Sequence, residues 1–70
     1  VRVHVDYHSV NINKKVAEIQ LPSQAVLIAI YEEDNLVIPH GETVIRAGQY
    51  ILAFADEAAM KELNHLFGAG

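Results

Sequence analysis

The reading of the fold turns on Gln24 to Pro39: Gln-Ala-Val-Leu-Ile-Ala-Ile-Tyr, then Glu-Glu-Asp-Asn, then Leu-Val-Ile-Pro. Ala25 to Tyr31 is an unbroken apolar run, so a strand there presents oily side chains to both faces of its sheet. One face meets the chain's own core. Cover for the other is scarce in 70 residues that offer only two further short helical patterns, so the run predicts a partner, most simply a second copy of the chain. Glu32 to Asn35 are polar and acidic, with Asn35 able to take the left-handed backbone of a tight turn, and they read as a hairpin connection. Leu36 to Ile38 then form a short strand, which Pro39 closes because it has no amide hydrogen for a ladder.

Working outward, Val1, Val3, Val5 and Tyr7 alternate with Arg2, His4, Asp6 and His8, the period-2 signature of a first strand from Val1 to Tyr7. Ser9, Asn11 and Asn13 are candidate N-caps for a short helix carrying Val16 and Ile19 inward, ended near Gln20 by Pro22. His40-Gly41-Glu42 and Ala47-Gly48-Gln49 read as turns around a brief extended piece, Thr43 to Arg46. Tyr50 to Ala55 is the last strand. Asp56 caps a final helix whose Met60, Leu63, Leu66 and Phe67 share one side, with Gly68 at its end. The expected class is α+β: a small, mainly antiparallel sheet of about four strands with two short helices in β-α-β-β-β-α order, as a dimer.

Composition bounds the function. An apolar fraction of 51% with 20% charged residues belongs to a folded domain rather than a disordered tail. A domain this small buries only about 60% of its unfolded surface, a further reason to expect dimerisation. Net charge is -4, and Arg2, Lys14, Lys15, Arg46 and Lys61 are scattered, which argues against a nucleic acid polymer as partner. Without cysteine there is no disulfide framework and no thiolate chemistry. Ser9 and Ser23 lack a nucleophile-elbow context and no glycine-rich phosphate cradle occurs, so no catalytic residue and no cofactor is assigned. His4, Asp6 and His8 would share one face of the first strand, but a closed zinc site wants a fourth ligand, and none is evident. Beginning at Val1, the chain reads as one domain, residues 1–70, cut from a longer protein.

Lys15-Val16-Ala17-Glu18-Ile19-Gln20-Leu21-Pro22, the strand Val26 to Ile30, Val37-Ile38-Pro39-His40-Gly41-Glu42-Thr43-Val44, and Ala47-Gly48 before the last strand stand in a fixed order. In that order the sequence resembles the TrkA-C, or RCK-C, regulatory domain of potassium-transport proteins, over nearly the whole chain. The resemblance implies a cytoplasmic sensor that pairs with its twin on a membrane transporter subunit, and in some members a cyclic di-AMP site between the two copies. The matching positions are Ala29, Ile30, Tyr31 and Glu32 on the first hairpin strand and Asn35, Leu36, Val37, Ile38, Pro39 and His40 beyond the turn. Two departures stand out: Glu32 where many members carry arginine, which removes a phosphate partner, and Gln49 where many carry aspartate. The alternatives are the same module on a chloride channel or anion permease, and a dimerisation module without ligand.

Overall fold

A computed structural model describes residues 1–68. Four strands, β1 (Arg2–His4), β2 (Ala25–Glu32), β3 (Asn35–Val37) and β4 (Tyr50–Ala55), precede one helix, α1 (Glu57–Phe67). They form a single antiparallel sheet in the order β1-β4-β2-β3. Helix α1 packs against β1 and β4. Its Leu63 and Phe67 meet Val3, Val5, Ile19, Ile30, Ile45, Ile51 and Ala53 in one buried cluster. The core therefore lies on one face of the sheet, and the other face has no layer over it.

The apolar run of β2 carries an irregularity. Its pairing with β4 slips between Leu27 and Ala29, leaving Ile28 as an extra residue. The bulge resets the alternation, so Ala25 and Leu27 before it and Ile30 after it all pack toward the cluster. In the turn that follows, Glu33 takes the left-handed backbone, φ 54. Asn35, expected to supply that conformation, instead begins β3.

The first helix reduces to a single 3-10 turn, Val16–Glu18. The reason is competition for its amides. Val16 N–H donates to the Thr43 carbonyl at 2.8 Å and Ala17 N–H to that of Gly41 at 3.0 Å, while Lys15 bridges Val44. The segment is thus laced to residues 41–44 and keeps for itself only the short bonds of Glu18 N–H to Lys15 and Ile19 N–H to Val16. The candidate caps are used elsewhere too. Ser9 Oγ and Asn11 Nδ2 each donate to the Leu66 carbonyl at 2.8 Å, satisfying an end of α1 that lacks intrahelical donors. Asn13 sits at φ 65.

The first strand also stops early, at His4. Val5 still exchanges hydrogen bonds with Gln49 and Gly48, just ahead of β4, and Asp6 N–H then donates to the Phe67 carbonyl, all at 2.8 Å. Tyr7, expected inside, is 71% exposed. Gly48 allows the close exchange with Val5: its φ is +85, a conformation costly for any residue with a Cβ. At the other end of α1, Asp56 accepts from Ala59 N–H at 2.8 Å as an N-cap. The buried Asn11 side chain gives a direct check. Asn11→Ala is expected to lower stability by about 1 kcal/mol, measured as a shifted urea midpoint at unchanged m-value.

Candidate functional site

Cross-strand register sorts the hairpin residues onto two sides. Ile30 stands opposite Val37 and Glu32 opposite Asn35, while Tyr31 stands opposite Leu36. Directly opposed residues share a face. Glu32, Asn35, Val37 and Ile30 therefore lie on the core side, with Ile30 sealed at 1% exposure. Ala29, Tyr31 and Leu36 lie on the outer side, where Tyr31 and Leu36 are exposed and Ala29 is itself buried. Ile38 and Pro39 follow β3, the first exposed and the second half-buried. His40 belongs to a turn: its N–H donates to Thr43 Oγ1 at 3.0 Å, and its Nδ1 accepts from Glu42 N–H at 3.2 Å. The ten residues thus share one hairpin and its exit without converging on one cavity.

The outer face is built of paired rows across β2 and β4: Val26 with Phe54, Ala29 with Leu52, and Tyr31 with Tyr50. On β1, Arg2 stands beside Leu52 and His4 beside Tyr50. Phe54 is 72% exposed, Val26 63% and Leu36 56%, an apolar face of the kind that marks an interaction surface. At the tyrosine end a groove of about 400 Å³ is lined by Arg2, Tyr31, Glu33, Tyr50 and Leu52. The Arg2 guanidinium lies 5.0 Å from the centroid of the Tyr50 ring, and the His4 ring is 4.8 Å away on a 50° tilt.

A second groove, about 270 Å³, opens on the core side of the hairpin, where Asn35, Glu32 and Val37 face Thr43, Val44, Arg46 and Gln49. Here Gln49 Nε2 donates to Glu32 Oε1 at 2.9 Å, and Gln49 Oε1 accepts from Arg46 N–H at 2.8 Å. Glu32 and Gln49, singled out one by one in the sequence, are one contact. Sequence reasoning treated them separately because they stand 17 positions apart.

His4, Asp6 and His8 do not share a strand face, because β1 ends at His4 and the chain turns. Asp6 Oδ1 accepts from the His8 backbone N–H at 2.8 Å and lies 3.2 Å from His8 Nδ1. The backbone hydrogen bond, and after it the imidazole, holds the Asp6 carboxyl below its ordinary value. His4 is turned to Tyr50 instead. Among the described residues no three His, Asp or Glu side chains are grouped to hold a metal ion, and no helix is long and apolar enough to cross a membrane.

Known proteins share this architecture. An RCK_C domain dimer of S. agalactiae BusR, in complex with c-di-AMP, superposes with a TM-score of 0.86 at 24% identity, covering 99% of this chain and 89% of that one. Among curated proteins, a Trk system potassium uptake protein TrkA homolog of Pyrococcus abyssi is 37% identical over 54 residues, 76% of this chain and 24% of the relative. TrkA homolog 2 of Methanosarcina mazei is 30% identical over 56 residues, 80% of this chain and 12% of the relative. The chain therefore spans a quarter or less of these relatives. The family model for the TrkA-C domain matches residues 1–68, and the chain belongs to that family.

Proposed function

We propose that the chain is the ligand-sensing domain of a potassium transport system, on the cytoplasmic side of the membrane, where two copies join through the outer faces of their sheets and hold cyclic di-AMP between them. The observation that carries this reading is the outer face: a strand apolar on both sides whose second side, with Val26, Tyr31, Leu36, Tyr50 and Phe54, stays exposed with no further layer packed over it among the described residues. The Trk relatives support the transport setting, and the BusR dimer supports a cyclic dinucleotide as the class of ligand. Purines suit such a face, because Leu36 and Tyr31 offer apolar contact for a ring. Signalling would be a shift of population: the ligand favours one mutual orientation of the two copies by as much as it binds that orientation better.

Calorimetric titration with cyclic di-AMP, beside ATP and cyclic di-GMP, tests the reading. Cyclic di-AMP is expected to bind with one ligand per two chains. Leu36→Asp is expected to weaken binding by about tenfold or more, since it sets a carboxylate against the purine and its phosphates. A flat titration of a dimeric wild type would make the domain a dimerisation module without ligand.

A further inference from the structure

We propose that Arg2, laid over the Tyr50 ring, is the cation that receives the ligand's phosphate on the outer face. The inference rests on the reading of a cyclic dinucleotide between two copies and adds a residue outside the hairpin. Position is the first argument. Of the five basic side chains, Lys15 is paired with Glu42 at 2.9 Å, and Arg46 lines the groove on the core side of the hairpin. Lys61 rides on α1, which covers the core side of the sheet, and Lys14 lies in the 11–14 connection. Arg2 alone among them stands on the outer face, opposite Leu52, and lines the groove with Tyr31 and Tyr50.

Geometry is the second argument. The contact at 5.0 Å over the Tyr50 ring holds the Arg2 guanidinium at the mouth of this groove. Its edge N–H groups stay free for a bidentate contact with a phosphodiester, the recognition for which arginine is suited and lysine is not. Among the described residues Arg2 makes no ion pair; those formed are His8 with Asp6 and Lys15 with Glu42. The other charged or titratable groups facing this region are Glu33, Tyr31 and Tyr50, which line the groove, and His4, whose ring lies 4.8 Å from that of Tyr50. Glu33 repels an anion, so the phosphate is accommodated at the Arg2 end and the base toward Tyr31 and Leu36. Arg2 thereby supplies charge that Glu32, bonded to Gln49, does not.

The test is calorimetry with cyclic di-AMP on the wild type and on Arg2→Gln, Arg2→Lys and Lys61→Gln, each with its thermal midpoint measured. Losing a charge-assisted contact is expected to weaken Arg2→Gln by about 10- to 100-fold. Arg2→Lys should recover only part of that loss, and Lys61→Gln, which removes the same charge elsewhere, should bind like the wild type. If the wild type binds and Arg2→Gln binds equally well, the assignment of Arg2 is wrong while the ligand reading stands. If Lys61→Gln weakens binding as much as Arg2→Gln, the effect is one of net charge and the assignment is again wrong. A wild type that does not bind overturns the ligand reading and this inference together.

Discussion

Phe67→Ala is expected to take away most of the stability of this domain. The ring is fully buried at the last turn of α1, in the cluster with Val3, Val5, Ile51 and Leu63. Truncating such a phenylalanine costs about 3–5 kcal/mol, transfer and cavity terms together. At about 0.05–0.15 kcal/mol per residue, a chain of this length has only about 4–10 kcal/mol to lose. Urea denaturation followed by far-ultraviolet circular dichroism should show the midpoint falling by half or more. Phe67→Leu, which keeps most of the volume, should retain the larger part of the stability. A loss below about 1 kcal/mol for the alanine variant would mean that the helix end is not packed as described.

Phe54→Asp is expected to separate the dimer while leaving each copy folded. Within one chain the side chain is 72% exposed, so the exchange costs the monomer no more than the strand preference of phenylalanine over aspartate, about 1 kcal/mol or less. Across a face-to-face interface the same carboxylate would be buried against Val26 and the tyrosine rows, at several kcal/mol, twice over by symmetry. The dimer dissociation constant should therefore rise at least a hundredfold. Sedimentation equilibrium at micromolar concentration should give the wild type twice the 7.7 kDa chain mass and the variant the mass of one chain. A wild type that sediments as a single chain would remove the dimer from the proposed function. A Phe54→Asp that remains dimeric would move the interface to another surface.

Both variants depend on a distinction the sequence already carried. Ala25 to Tyr31 reads as a strand apolar on both sides, and α1 reads from Asp56 and the stripe ending at Phe67, because cap and periodicity are local properties. The hairpin was legible for the same reason, although its left-handed residue is Glu33 and not Asn35. What escaped the sequence is set by groups far apart in the chain. The expected helix at Val16 gives way because Thr43 and Gly41 take its amides. Ser9 and Asn11 serve the end of α1 rather than a start of their own.

The candidate site shows the same division. Tyr31 and Leu36 were named because they lie in the hairpin with the TrkA-C pattern. Their separation from Glu32 and Asn35 follows from strand alternation alone, but which side is the core side depends on the slip between Leu27 and Ala29, which no local pattern announces. The Glu32 to Gln49 contact and the place of Arg2 over Tyr50 belong to strand order, β1 beside β4, and strand order is invisible in a single sequence.

The fastening of the helix end to the opening segment also bears on time. Ser9 and Asn11 reach Leu66 across 57 and 55 positions of chain, and Asp6 reaches Phe67 across more still, so these bonds together close the longest loops in the domain and meet the largest entropic cost before they form. The β2–β3 hairpin closes a loop of a few residues, and a nucleus built there, then extended by β4, would precede them. Bonds absent from the barrier crossing slow unfolding without hastening folding. The suture between the two ends of the chain is thus a brake on opening, and it determines how long a folded copy persists rather than how quickly it is made.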